Sequence, residues 1–352
     1  MANFVYEPLP ARVIFRPGAL EELPREAARL GARALVLSTP GQRALAERAA
    51  GLLGARAAGV CAQARVHVPI DSARAACAEA RRVAADFCVA LGGGSTTGLA
   101  KAVALELGLP ILVVPTTYAG SEMTPIWGIT EASVKRTGRD PRVLPRTVLY
   151  DPLLTLALPA ATSGTSGINA LAHCVEGLYS EGANPVTSLM AEEGIRALAR
   201  ALPRVVRDVR DLDARIEALY GAWLAGAVLG AVGMALHHKL CHVLGGAFDL
   251  PHAATHTIVL PHVIAYNAAA APHAMRRIAA ALAAEDPALG LYALARSVGA
   301  PAALKDIGMP ADGIETAVRL ALANPYYNPA PVRAEALRRL LQNALEGRPP
   351  QL

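Results

Sequence analysis

The sequence predicts an α/β N-terminal half built on a parallel sheet, followed by an all-α C-terminal half, and three features carry that prediction. Through residues 1–150, short apolar β-rich runs alternate with amphipathic runs of helical period, the pattern of βαβ units. Past Asp151-Pro152 strand-like runs nearly vanish and one helical pattern follows another. The composition, 53% hydrophobic but only 4% aromatic, makes the interior one of Ala, Val and Leu, which suits closely packed helices.

In the first half, Val13–Phe15, Ala34–Ser38, Phe87–Leu91, Ile111–Pro115 and Thr147–Tyr150 read as strands. Between them Ala19–Leu30, Gln42–Leu53, Ser72–Ala85 and Thr96–Leu107 carry i, i+3, i+4 apolar spacing. In the second half the predicted helices are Gly167–Leu178, Pro185–Ala201, Asp211–Leu229, one around His238 and His242, His273–Ala283, Gly290–Val298, Ala311–Ala323 and Val332–Ala344. Thr162–Gly167 reads as a turn and cap. At 352 residues the chain can hold two cores, and the change of character divides it into residues 1–152 and 153–352.

Several classes of partner are disfavoured. The net charge of +5 is spread along the chain without a basic block, which suits small anions better than nucleic acid. Ala218–Leu236 has no charge and could span a bilayer by length, but it is mostly Gly and Ala and runs into His237, His238 and Lys239, so it reads as a buried helix and not a membrane segment. Five cysteines without CxxC spacing fit reduced thiols, and the start lacks a basic-then-apolar leader, so a cytoplasmic protein is expected.

The chemistry concentrates in HKLCHVLGGAFDLPH, His238–His252. His238 and His242 lie four apart and share a helical face; Gly245 and Gly246 are expected to stop the helix, and His252 arrives from the next segment. Converging imidazoles suit proton transfer, a metal or an anion; core histidines bonded to backbone carbonyls are the alternative. Asn169 and His173 form a second polar pair on one helical face. In the first half, Leu91-Gly92-Gly93-Gly94-Ser95 joins a strand to a helix, where glycines allow close backbone approach and the helix start offers N–H groups to a phosphate; a tight turn is the alternative. Pro115–Glu122 places Thr116 and Thr117 at the end of the next strand, as ligand-holding hydroxyls or as helix caps.

GGGSTTGLAK, PTTYAGSE, GINALAHCVE, HxxxHVLGG and PH-x9-H (Pro251-His252 and His262), in this order along nearly the whole chain, resemble the iron-containing (group III) alcohol dehydrogenase family, and within it the maleylacetate reductase branch. The resemblance implies the dehydroquinate synthase-like architecture, an N-terminal dinucleotide-binding domain, a helical catalytic domain, NADH or NADPH in the cleft between them, and a homodimer. It assigns Gly93, Gly94 and Ser95 to the pyrophosphate turn, Thr116 and Thr117 to the ribose and nicotinamide, and Ser38 to the cofactor side of the sheet. His173, His238 and His252 take the metal-histidine positions, and His242 the place beside the nicotinamide. Two positions depart from the metal-dependent pattern: Asn169 replaces an aspartate ligand, and Gly98 replaces the aspartate after the glycine turn.

An amide is a far weaker ligand for a divalent cation than a carboxylate, so no metal requirement is expected. The histidines are then free to act as catalytic donors. The implied reaction is reduction of the conjugated C=C of maleylacetate, and of its chloro-substituted forms, to 3-oxoadipate in aromatic-compound degradation. A metal-dependent alcohol dehydrogenase of the same family is the alternative. For a dicarboxylate substrate, His237, Lys239 and Arg333 are candidate cations, and Tyr118, Tyr326 and Tyr327 candidate hydroxyl donors. Leu37-Ser38-Thr39-Pro40-Gly41 offers no carboxylate to repel a 2′-phosphate, so both cofactors are expected to serve.

Overall fold

The structure is a computed structural model that describes residues 4, 6, 9, 12–132, 134–323 and 326–351. Contacts divide the chain into two compact units at Leu158/Pro159. This lies a little past the change of character at Pro152, because the 3-10 helix Pro152–Ala157 still belongs to the first unit.

In the first unit the strands are β1 (Arg12–Phe15), β2 (Ala34–Leu37), β3 (Ala57–Cys61), β4 (Phe87–Gly92), β5 (Ile111–Pro115), β6 (Ile126–Glu131), β7 (Val134–Arg139) and β8 (Thr147–Tyr150). The helices are α1 (Leu23–Ala27), α2 (Arg43–Leu53), α3 (Ile70–Arg82) and α4 (Gly94–Leu107). Six strands form one sheet in the order β1-β8-β5-β4-β2-β3, with every pairing parallel. β2, β4, β5 and β8 are buried along their whole length, which is why they read as unbroken apolar runs. The chain leaves β2 toward β3 but leaves β4 toward β5, so the order reverses between β2 and β4. Ligands of open α/β sheets sit at the carboxyl ends of strands at such a reversal.

Two elements of this unit are absent from the sequence prediction. β3, AAGVC, is an edge strand paired only with β2, and its Ala- and Gly-rich composition carries little β signal. β6 and β7 form a separate antiparallel hairpin, and the side chains of residues 126–131 and 135–139 are only partly covered or face water. Lys101, on α4, holds the segment leading into this hairpin. Its ammonium is buried and donates to the carbonyls of Ser121, Thr124 and Ile126, at 2.7, 2.8 and 2.7 Å.

The second unit is helical: α5 (Ala160–Gly177), α6 (Pro185–Arg207), α7 (Leu212–Ala231), α8 (Leu236–Phe248), α9 (His252–Asn267), α10 (Pro272–Leu282), α11 (Pro287–Ser297), α12 (Gly313–Leu322) and α13 (Ala334–Glu346). α5, α6 and α7 pack on one another, and α9 packs against α5, α8, α11 and α13. Three local expectations are corrected. Thr162–Gly167 is not a turn but lies within the first two turns of α5. Tertiary contacts outweigh its low helix propensity: Ser163 Oγ accepts from buried Arg215 at 2.7 Å, and Gly164 and Gly167 let Val298 and Leu202 approach the helix backbone. Gly245 and Gly246 do not stop α8, which runs on to Phe248 and ends at Asp249 in the left-handed region, φ 53°. A helical glycine costs only about 1 kcal/mol, too little to end a packed helix. The charge-free stretch Ala218–Leu236 is not one helix either: α7 ends at Ala231 and α8 departs at 96°.

Two predictions follow from this packing. A Cβ at Gly167 would lie 2.9 Å from Cγ of Leu202 and nearer still to both its methyl groups, whereas one at Gly246 would meet nothing within 4 Å. Overpacking a core site costs about 1–3 kcal/mol, and Ala in place of a helical Gly gains about 1 kcal/mol. Gly167→Ala is therefore expected to destabilise the protein and Gly246→Ala to stabilise it in urea denaturation. Shifts of the same sign would contradict the packing. The second concerns His262, a buried α9 residue, whose burial pulls its pKa from 6.5 down to about 4. The unfolded chain thus binds this proton at higher pH than the native one, so stability is complete above about pH 6.5 and declines as pH falls toward 4. The separation is worth about 3 kcal/mol. Unfolding free energies between pH 7.5 and 4.5 should fall less steeply in His262→Gln than in the parent protein, and equal slopes would exclude this site as a contributor.

Candidate active site

At the carboxyl ends of β2, β4 and β5, the first unit builds a cradle of backbone and hydroxyl groups. Gly92 ends β4 at φ +150°, a conformation L side chains rarely adopt, and a Cβ there would lie 2.5 Å from Thr96 Oγ1 and 2.7 Å from Gln42 Oε1. Gly93 caps α4, and a Cβ on it would press on the Thr117 hydroxyl at 2.9 Å. Gly94 and Ser95 open α4, where the first N–H groups of a helix have no acceptor one turn back. Thr116 N–H donates to the Gly92 carbonyl at 3.0 Å and its hydroxyl accepts from Gln42 Nε2 at 2.7 Å, which ties the ends of β4 and β5 to the segment after β2. The Thr96 hydroxyl is buried without a partner. Open N–H groups, an unsatisfied hydroxyl and absent Cβ atoms fit a phosphate-bearing ligand. Ser38 sits at the end of β2, but its hydroxyl donates to the Thr39 carbonyl at 3.1 Å. Gly98 is closed to side chains: a Cβ there would lie 2.7 Å from a methyl group of Val68.

The second unit gathers the predicted histidines. Asn169 and His173 lie on one face of α5, His238 and His242 on α8, and His252 starts α9. The rings of His173 and His238 stack at 5.0 Å, His238 and His242 lie 6.3 Å apart, and His242 and His252 stack at 6.1 Å. His173, His238 and Asn169 are buried, whereas His242 and His252 are exposed. Asn169 Oδ1, His173 Nδ1 and His238 Nε2 are buried with no hydrogen-bond partner. Three unsatisfied polar atoms on two facing helices mark a site prepared for a ligand, since each costs about 1–3 kcal/mol when left alone.

Three further residues complete the cluster. His256, one turn beyond His252, has its ring 4.3 Å from His252 and 4.8 Å from His238, and its Nε2 is buried without a partner. Its Nδ1 is paired with His237 Nε2 at 2.9 Å. The third is Glu176, fully buried on the same face of α5 as Asn169 and His173, with Oε2 2.6 Å from His238 Nδ1. The i, i+4, i+7 spacing of Asn169, His173 and Glu176 was the available sequence signal for Glu176; the i, i+4 spacing of His252 and His256 was that for His256.

Burial pushes His173, His237 and His256 well below the ordinary histidine range, and the neighbouring imidazoles add to the effect. These rings are neutral at pH 7. His237 is therefore not a cation for a carboxylate substrate: it is fully buried and engaged with His256. Lys239 stands over the Tyr326 ring at 5.4 Å, Arg333 and Tyr327 are exposed, and Tyr118 is buried. The Tyr326 hydroxyl is buried without a partner.

For a divalent cation, the site offers His173, His238, His252 and the Asn169 amide, a set with no anionic ligand. An amide in the fourth position holds iron or zinc less firmly than a carboxylate would. His237, Cys241 and His256 also bring ligand atoms within 4.8 Å of one another. Their two imidazole nitrogens, however, hydrogen-bond at 2.9 Å, closer than the roughly 3.3 Å between nitrogens sharing a tetrahedral ion.

Comparison with known proteins agrees with this layout. Residues 10–152 match the family described as iron-containing alcohol dehydrogenase, and residues 163–345 match its C-terminal part. The chain is 58% identical to a maleylacetate reductase of Sphingobium indicum and 59% identical to one of Burkholderia cepacia, in each case over 99% of both chains. The crystal structure of maleylacetate reductase from Agrobacterium tumefaciens superposes with a TM-score of 0.96 at 51% identity, covering 99% of this chain and 100% of that one. The chain belongs to the iron-containing alcohol dehydrogenase family.

Proposed function

We propose that the chain is a maleylacetate reductase, which uses NADH or NADPH to reduce the C=C bond conjugated to a ketone in a small dicarboxylate. The observation that carries this reading is the set of unpartnered polar atoms on Asn169, His173 and His238, with an amide where a carboxylate ligand would stand, in a cluster of six imidazoles. Full-length relatives at 58% and 59% identity bearing that name support it.

The reduced nicotinamide, when bound, supplies hydride to the β-carbon. The electron pair of the C=C bond then moves toward the ketone oxygen as an enolate, and a proton must reach the α-carbon to complete the addition of H₂. Imidazole N–H groups serve both needs: one donates to the enolate oxygen, another delivers the α-proton. The cradle around Gly93, Gly94, Ser95, Thr116 and Thr117 takes the dinucleotide, its pyrophosphate at the start of α4. We assign the protein to a reducing cytoplasm, supported by the five free, buried cysteines, and propose a homodimer, as the resemblance of its motifs to the family implies.

Protein purified without added metal should reduce maleylacetate with NADH and with NADPH, and a chelator should leave the rate unchanged. Elemental analysis beside the chelation assay checks this. Stoichiometric iron or zinc whose removal abolishes turnover would overturn the metal-free reading, and oxidation of simple alcohols in its place would favour a metal-dependent alcohol dehydrogenase of the same family. Replacing His242 or His238 with Ala should lower kcat about a hundredfold, on the order of 3 kcal/mol of transition-state stabilisation. Variants that melt normally, bind NADH normally and retain wild-type kcat would remove the histidines from the mechanism.

A further inference from the structure

We propose that Glu176 is a positioning residue of the histidine cluster: it holds the His238 ring with Nδ1–H turned to its carboxylate and Nε2 left for the substrate. Only the kinetic part of this proposal rests on the reductase reading.

The geometry is that of one carboxylate serving two tasks. Helix α8 begins without a cap of its own, since Ala235 at its N-cap has no side-chain acceptor. Glu176 reaches across from α5 instead. Its Oε1 accepts from His237 N–H at 2.8 Å, and its Oε2 accepts from Ala235 N–H at 3.1 Å and His238 N–H at 3.3 Å. Three backbone donors satisfy the start of the helix, so the cap alone does not require a side-chain partner. Yet the same Oε2 also takes His238 Nδ1 at 2.6 Å. An acceptor-only group at that distance requires hydrogen on Nδ1, which leaves Nε2 as the outward-facing nitrogen. Nε2 is the atom found buried and unpartnered, with the His173 ring stacked alongside at 5.0 Å. Backbone and ring are thus fixed by one group, and a shift of the carboxylate moves both.

The test uses the full-length protein labelled with ¹⁵N-histidine, with His238 assigned through His238→Gln. In the parent protein, Nδ1 of His238 should show a protonated-nitrogen shift with one-bond N–H coupling. Glu176→Gln, which can keep its oxygen at the Oε2 position, should retain that signature and at least a tenth of kcat. Glu176→Ala should lose the signature and lower kcat thirtyfold or more, while NADH Kd stays within twofold. Placed in a His238→Ala background, Glu176→Ala should lower kcat little further, although it still lowers Tm. A purely capping residue would lower Tm and leave the ring signature and kcat in place, which would overturn the proposal. Hydrogen on Nε2 and a lone pair on Nδ1 in the parent protein would overturn it outright. If Glu176→Ala does not fold, Glu176→Asp, which withdraws the carboxylate by one methylene, takes its place with the same outcomes. Absence of maleylacetate turnover in the parent protein would count against the reductase reading alone, because the ring signature is read without substrate.

Discussion

Imidazoles taken out of water must be either neutral or answered by an opposite charge, and the helical unit is arranged around that constraint. An unpaired buried charge costs several kcal/mol, more than a marginally stable fold can spare. Six rings share one region here, and the structure treats them differently. His173, His237 and His256 are held neutral by burial, His238 lies against the only carboxylate in the group, and His242 and His252 reach water. The rings and the carboxylate come from three elements: α5 supplies Glu176 and His173, α8 supplies His237, His238 and His242, and α9 supplies His252 and His256.

The close packing of α5, which carries Asn169, His173 and Glu176, with α6 and α7 explains the composition. Small residues set the distances: Gly167 receives Leu202, Gly194 of α6 lies against Cys174, and Gly221 of α7 faces Leu198. Side chains at those glycines would push α6 and α7 off α5, and with them the helix carrying Asn169, His173 and Glu176. An interior of Ala, Gly, Val and Leu with few aromatics is the consequence, and it also explains why α7 looks like a membrane span in sequence. Its stretch from Ala218 onward packs against α5 and α6, where Ala218, Ala222 and Ala225 are fully buried.

What could be read from the sequence follows the same division between local and tertiary control. The buried strands β2, β4, β5 and β8 and the amphipathic helices were legible because one periodicity dominates each. β3 was not, because an edge strand of Ala and Gly is held by its pairing with β2 and not by its own side chains. Helix α9, His252–Asn267, is not marked in the sequence because it is buried on nearly every face, polar residues included, and contains Pro261, so neither periodicity nor propensity signals it. The four histidines named in advance do come together. Glu176 and His256 were missed because a carboxylate or a histidine inside an apolar run gives no local sign of its partner across a helix interface. His237 was read as a substrate cation for the same reason: its burial depends on His256, nineteen residues away.

The difference in exposure among the rings also divides the work that the proposed reaction needs. A proton delivered to the α-carbon must be replaced before the next turnover, and only a ring in contact with water can reload without opening the core. His242 and His252 meet that condition; His173, His238 and His256 do not. Of the buried rings, His173, whose Nδ1 has no partner, is suited instead to the task that consumes no proton, which is to donate a fixed hydrogen bond to the enolate oxygen as charge gathers there, whereas the N–H of His238 is taken by Glu176. Asn169 fits this division. A carboxylate in its place would put negative charge beside the developing enolate unless a cation sat between them, whereas the amide adds none. The neutral side chain that weakens the site for a metal is thus the one that leaves it open to an anion.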